Sequence, residues 1–218
     1  MLLKEEGINM TDWKAQLDQG EPANLQQFVN EVITRNLRNS IFVDVTASDV
    51  VAGVYAQLLE KSVNVVACNK VAASSAYSNY KKLKDLARAF NCQFLFETNV
   101  GAALPIIATL NDLVSSGDKI HRMQAVLSGT LNFVFNNYDG TRKFADVVKQ
   151  AQEEGYTEPD PRLDLSGTDV MRKIMILARE AGHKMEMDDI TNNSFMPASC
   201  MTGTVADFYA AMGTEEEH

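Results

Sequence analysis

Ile41-Phe42-Val43-Asp44-Val45-Thr46, Val63-Asn64-Val65-Val66-Ala67 and Gln93-Phe94-Leu95-Phe96-Glu97 are three short apolar runs separated by stretches of helical length. Asp49 to Lys61 lies between the first two and repeats Val50, Val54, Leu58 and Leu59 on one helical face. Tyr77 to Phe90 fills the second interval with a similar pattern, and Asn24 to Leu37 precedes the first run with Leu25, Phe28, Val29, Val32 and Ile33 on one stripe. Strand, helix, strand, helix, strand predicts a parallel α/β sheet with right-handed crossovers. Such sheets bind ligands beyond the carboxyl ends of their strands. Thr46-Ala47-Ser48, Cys68-Asn69-Lys70 and Thr98-Asn99 are the residues expected there.

From about Thr98 the pattern changes, which predicts a second domain over 98–218 after a first over 1–97. Ala102 to Val114 reads as a helix with Pro105 in its first turn, where proline is tolerated. Met123-Gln124-Ala125-Val126-Leu127 reads as a strand ending at Ser128-Gly129-Thr130. Phe144 to Glu154 and Gly167 to Ala181 read as helices that Gly155 and Gly182 stop at their carboxyl ends. Ser166 followed by Asp169 resembles a short-acid capping box. Val205 to Met212 is a last short helix before an acidic tail.

Composition narrows the class of function. The 218 residues carry a net charge of −9 and 45% hydrophobic residues, enough for a packed core. No basic stripe exists, so nucleic acid is excluded as an expected partner. No apolar run approaches the roughly 20 residues that cross a bilayer, so no membrane association is expected. Cys68, Cys92 and Cys200 fit neither a disulfide framework nor a zinc site, and read as free thiols in a reducing cytoplasm. None of the twelve glycines forms a Gly-x-Gly pair, so the phosphate-binding turn that usually opens a dinucleotide domain is not here.

The chemistry concentrates in Gly155-Tyr156-Thr157-Glu158-Pro159-Asp160-Pro161-Arg162-Leu163-Asp164-Leu165-Ser166-Gly167-Thr168-Asp169-Val170-Met171-Arg172-Lys173. Glu158, Asp160, Asp164 and Asp169 crowd one stiff loop and the helix after it. Asp169 and Lys173 stand at i,i+4 on that helix. Taken alone, the pair is an ordinary helix-surface contact worth ~0.3 kcal/mol. Taken with the loop, it can offer fixed carboxylates and an ammonium to a small zwitterion.

These residues resemble homoserine dehydrogenase, most closely the dehydrogenase part of the bifunctional aspartokinase–homoserine dehydrogenases. Val43-Asp44-Val45-Thr46-Ala47-Ser48, Asn69-Lys70, Glu97-Thr98-Asn99-Val100-Gly101-Ala102-Ala103-Leu104-Pro105, Leu127-Ser128-Gly129-Thr130-Leu131-Asn132 and the acidic stretch occur in family order. Leu163 stands where many relatives have a second acid, and the family's glycine-rich first strand and its carboxyl-terminal segment are not matched. The expectation is therefore a central fragment, inactive or nearly so on its own.

The resemblance implies a partial Rossmann-like nucleotide-binding domain over 1–97, then an α+β substrate-binding and dimerisation domain over 98–218. It implies reversible reduction of L-aspartate 4-semialdehyde to L-homoserine with NADP or NAD, serving threonine, methionine and isoleucine synthesis, in a homodimer or larger homo-oligomer. By family match Lys173 is the proton donor and Lys70 stands beside the nicotinamide and the reacting group. Glu158, Asp164 and Asp169 resemble the substrate-holding acids, and Thr46 and Gly155 further cofactor contacts. Glu97, with the carbonyls of Val100, Ala102 and Leu104, resembles a monovalent-cation site, sodium being the expected ion. Two other readings fit the same residues: an oligomerisation module without catalysis, and another amino-acid semialdehyde reductase.

Overall fold

The computed structural model describes residues 1–215. The chain divides into two compact units, Met1–Phe96 and Glu97–His218.

The first unit is a three-stranded parallel sheet, β1 (Ile41–Asp44), β2 (Asn64–Ala67) and β3 (Phe94–Leu95), in the order β1-β2-β3. Ile41 pairs with Asn64, Asp44 with Ala67, and Val65 with Phe94. Its helices are α1 (Trp13–Asp18), α2 (Leu25–Arg35), α3 (Asp49–Ala52), α4 (Tyr55–Leu59), α5 (Val71–Ser74) and α6 (Tyr77–Ala89). Asn24 caps α2 by accepting from Gln27 N at 2.9 Å. The helix expected over Asp49 to Lys61 is two pieces, because the chain turns at Gly53-Val54 between α3 and α4. That break lets Val54, Tyr55, Leu58 and Leu59 all reach the core.

One face of the sheet is well packed. Phe42, Val65, Ala67 and Phe94 are buried, and the rings of Phe28, Phe42, Tyr55, Phe94 and Phe96 run in a chain with centroids 4.8–6.3 Å apart. The opposite face is open within this unit: Ile41 and Val43 of β1 and Leu95 of β3 are exposed. Parallel strands read as continuous apolar runs because both faces are normally covered, which is why the sequence showed no alternation here.

The second unit comprises α7 (Ile106–Ser115), α8 (Gly129–Asn137), α9 (Phe144–Glu153), α10 (Arg162–Leu165), α11 (Thr168–Glu180) and α12 (Val205–Glu215). Val134, Val147, Val148, Ala151, Leu165, Cys200, Phe208 and Met212 form its core. Gly155 (φ +78) and Gly182 (φ +92) end α9 and α11 as the sequence predicts, with Tyr156 N reaching back to Ala151 O and His183 N to Ala178 O.

Three local expectations are corrected. Met123–Leu127 forms no strand; residues 120–126 enter no backbone ladder among the described residues, whose chain in this unit is helical or irregular. Strand formation needs a neighbour to take up its backbone groups, and this segment meets none. The helix expected from Ala102 starts at Ile106, because Ala102 is left-handed (φ 52) and Pro105 takes the cap position. Ser166 and Asp169 form no capping box: Gly167 is the cap residue of α11, and Asp169 turns to Lys173 instead.

Candidate active site

In the first unit the loops that leave β1 and β2 carry Thr46 and Lys70. Thr46 is exposed, and its Oγ1 accepts from Ser48 N at 3.1 Å. Ser48 Oγ in turn accepts from Val51 N and caps α3. Lys70 is half-buried at the start of α5, its carbonyl accepting from Ser74 N and Ser74 Oγ. Both residues therefore sit on loops braced by short-range hydrogen bonds, at the strand ends where ligands are expected. Beneath them lies a buried carboxylate, Asp44, whose Oδ1 accepts from Thr46 N at 2.7 Å. Its Oδ2 accepts from the Tyr55 hydroxyl at 2.5 Å and from Asn69 Nδ2 at 3.0 Å. Burial pushes this carboxyl up, but the bonds from Tyr55, Thr46 and Asn69 together outweigh it and hold it below the ordinary aspartate value. Burial, then Asp44 itself, drive the Tyr55 phenol far above its usual range.

In the second unit the acidic stretch is folded around Thr130. Ser128 caps α8 by accepting from Leu131 N at 3.1 Å, which turns Thr130 inward. The Thr130 hydroxyl is almost fully buried and lies 2.5 Å from the Tyr156 carbonyl and 2.9 Å from Asp164 Oδ1. The other oxygen of Asp164 accepts from Glu158 N at 2.9 Å. Asp164 thus stands between Thr130 of α8 and the loop and fixes the backbone of Glu158, which is itself exposed. Asp160 is held separately: Arg162 grips it with Nε and Nη2 and also donates to Gly203 O at 2.9 Å. The Arg162 bonds pull the Asp160 carboxyl below its ordinary value.

On α11, Lys173 Nζ lies 2.7 Å from Asp169 Oδ2 and 2.7 Å from the carbonyl oxygen of Leu127. The Lys173 side chain is 17% exposed and that of Asp169 43%, so the pair stands at the surface of the unit with the ammonium tucked in. An ammonium has three donors. Leu127 and Thr130 are three residues apart, so the anchor of Lys173 and the anchor of Asp164 lie within about 11 Å of one another along the backbone. One short segment, Leu127-Ser128-Gly129-Thr130, therefore gathers Lys173, Asp169, Asp164 and the backbone of Glu158.

Gly155 is left-handed and exposed, and a Cβ there would meet nothing within 4 Å. Glu97 caps α7: its two oxygens accept from Ile107 N at 2.8 Å and Ala108 N at 2.7 Å. The Leu104 carbonyl accepts from Ile106 N. A groove of the second unit, about 650 Å³, is lined by Leu127, Val170, Met171, Ile174 and Asn192 among others, and Lys173, Asp169 and Glu158 are outside its lining. Sequence reasoning attached no role to Thr130, to the Leu127 carbonyl or to Asp44. The signal for Asp44 was present: an acid in step with Phe42 on an otherwise apolar strand must face the core and needs partners.

Comparison with known proteins gives the following. A family model described as homoserine dehydrogenase matches residues 105–215, and one described as homoserine dehydrogenase, NAD binding domain, matches residues 5–97. The chain is 46% identical over 211 residues to a bifunctional aspartokinase/homoserine dehydrogenase of Zea mays, named as chloroplastic, covering 96% of this chain and 23% of that protein. A bifunctional relative from Haemophilus influenzae is 40% identical over 213 residues, covering 97% of this chain and 26% of its own length. The chain thus spans about a quarter of the length of these curated relatives. Among solved structures, a Candida auris protein of unknown function superposes with a TM-score of 0.89 at 30% identity, covering 99% of this chain and 62% of that one. A hyperthermophilic archaeal homoserine dehydrogenase in complex with NADPH gives 0.66 at 28% identity, covering 79% of this chain and 53% of that one. No helix among the described residues is long and apolar enough to cross a membrane.

Proposed function

The chain belongs to the homoserine dehydrogenase family, and on that premise we propose that it supplies the substrate-binding and proton-donating part of an NAD(P)-dependent homoserine dehydrogenase. The reaction is the interconversion of L-aspartate 4-semialdehyde and L-homoserine, a step toward threonine, methionine and isoleucine. The observation that carries this reading is the convergence on Leu127–Thr130: one segment fixes both the Lys173–Asp169 pair and the Asp164–Glu158 turn.

The roles proposed are these. Asp169 and the Leu127 carbonyl take two of the Lys173 donors and hold the ammonium in one orientation. The third donor is the one assigned to the substrate oxygen, where it stabilises developing negative charge and delivers the proton. Glu158 receives the substrate ammonium through charge-assisted hydrogen bonds. Asp164, assigned from sequence to the substrate, also holds Glu158 by accepting from its N–H, and its oxygens keep acceptor capacity for a substrate.

The cofactor, when bound, supplies the hydride that passes to the aldehyde carbon. The donor set fits the nicotinamide end of such a cofactor: a threonine hydroxyl and a lysine at the strand ends of a parallel sheet, Thr46 and Lys70. Gly155 is the further backbone position assigned to it. A monovalent cation on the carbonyls of Val100 and Ala102 completes the proposal; these oxygens accept no backbone hydrogen bond among the described residues, and Leu104 and Glu97 would have to share theirs. The assembly proposed is a homodimer or larger homo-oligomer in the cytoplasm.

Homoserine-dependent NADP reduction in the protein carrying this chain tests the reading. Lys173→Ala should lower kcat about 10²–10⁴-fold, the usual worth of a positioned proton donor. Activity within a few-fold of the parent would remove Lys173 from the mechanism.

A further inference from the structure

We infer that Asp44 is a positioning residue for the cofactor-contacting loops, acting through Thr46 and Asn69 rather than by touching cofactor or substrate. This rests on the functional reading above. The carboxylate is 1% exposed at the last residue of β1. It binds three separate pieces of chain: Thr46 N in the loop after β1, the Tyr55 hydroxyl on α4, and Asn69 Nδ2 in the loop after β2.

Asn69 carries the link further. Its amide nitrogen also donates to Ser48 O at 3.0 Å, and its oxygen accepts from Val71 N at 3.0 Å, at the start of the helix that follows Lys70. Thr46 and Lys70 therefore stand on two loops that share one clamp of Asp44 and Asn69. Tyr55, fully buried, fixes the position of the clamp from below. The distance between the Thr46 and Lys70 loops depends on a charge that is satisfied from three directions.

A carboxylate is required because it accepts at both oxygens. In Asp44→Asn the amide nitrogen would face either the Thr46 N–H or the Tyr55 hydroxyl and Asn69 amide, so at least one loop loses its tether. The partners that define the clamp, Thr46, Ser48, Tyr55 and Val71, all belong to the first unit, so the effect should fall on the cofactor and not on homoserine.

The test is steady-state kinetics on the protein carrying this chain, with melting curves recorded in parallel and all rates taken well below the melting midpoint. For Asp44→Asn the expected result is a rise of about tenfold in the cofactor KM, the scale of one charged hydrogen bond, with the homoserine KM within about twofold. Tyr55→Phe removes a single donor and should give a smaller cofactor-specific rise; it decides the matter if Asp44→Asn does not fold. A lowered melting midpoint with both KM values unchanged in either folded variant means Asp44 is structural only and overturns the inference. A parent protein that turns over no homoserine overturns the functional reading and this inference together, whereas an active parent with unaltered cofactor KM in the variants overturns this inference alone.

Discussion

The ammonium of Lys173 on α11 donates to the carbonyl oxygen of Leu127, 46 residues earlier in the chain and 2.7 Å away. A main-chain oxygen cannot be removed by substitution, so this anchor survives any change of side chain at position 127. Asp169 adds the charge partner. Lys173→Arg keeps the charge but presents a planar fork in place of a compact ammonium, and cannot satisfy both partners in the same pose. It should therefore lose most of the activity that Lys173→Ala loses, while its melting midpoint stays near that of the parent. Recovery of more than about a tenth of parental kcat by the arginine variant would count against proton donation from this position.

Thr130 and Asp164 should behave as one unit. Thr130→Val and Asp164→Asn each disturb the contact that holds the loop, so their effects on stability should overlap instead of adding. A double-mutant cycle read by urea unfolding should give a coupling of about 1 kcal/mol, in the range for residues in one hydrogen-bond network. The same variants should raise the homoserine KM, because the loop they loosen carries Glu158. Strict additivity would mean that the Thr130–Asp164 contact is not made in solution.

Gly155 separates a cofactor role from a structural one. Its φ of +78 disfavours any side chain, yet a Cβ would meet nothing within 4 Å. Gly155→Ala should therefore cost ~1–2 kcal/mol of stability from backbone strain alone. Asparagine tolerates this conformation better, so Gly155→Asn should cost less. A cofactor KM that rises in both variants, beyond what the melting shift predicts, supports cofactor contact at this turn; unchanged KM values assign Gly155 to capping α9 only.

Asp44 makes stability depend on acid. Its carboxyl titrates lower in the folded chain than in the unfolded one, whose value is about 3.9. The unfolded state then binds the proton more readily, so the contribution of Asp44 is complete above about pH 4 and is lost as pH falls through the folded value. Acid unfolding followed by circular dichroism should show the parent losing stability below about pH 4. Asp44→Asn should start less stable and lose less over the same interval. Equal slopes in the two proteins would mean the buried charge is not the titrating group.

The elements with long, regular patterns were legible in the sequence. α2, α6, α9 and α11 follow their apolar stripes to within a residue or two, and the parallel sheet follows from strands joined by helices. The acidic stretch was legible as a segment in need of partners, because its composition is costly without them, and Thr130 and Arg162 are partners the fold supplies. What the sequence hid were pairings set by tertiary contact. Nothing local says that Glu97 caps a helix starting nine residues later, or that Thr130 finds a carboxylate 34 residues on. The strand expected at Met123–Leu127 failed for a similar reason: apolar pattern gives a segment the option of pairing, and only a neighbour makes it a strand.

The open side of β1 bears on how this chain must be handled. Ile41 and Val43 of β1, the edge strand among the described residues, and Val45 just after it stand 58–75% exposed. Lone edges of this kind recruit other strands, and a greasy stripe beside one favours self-association. Dilute samples should scatter little light, concentrated ones should cloud and bind hydrophobic dyes, and a single lysine at Val43 should restore clarity without moving the active-site chemistry.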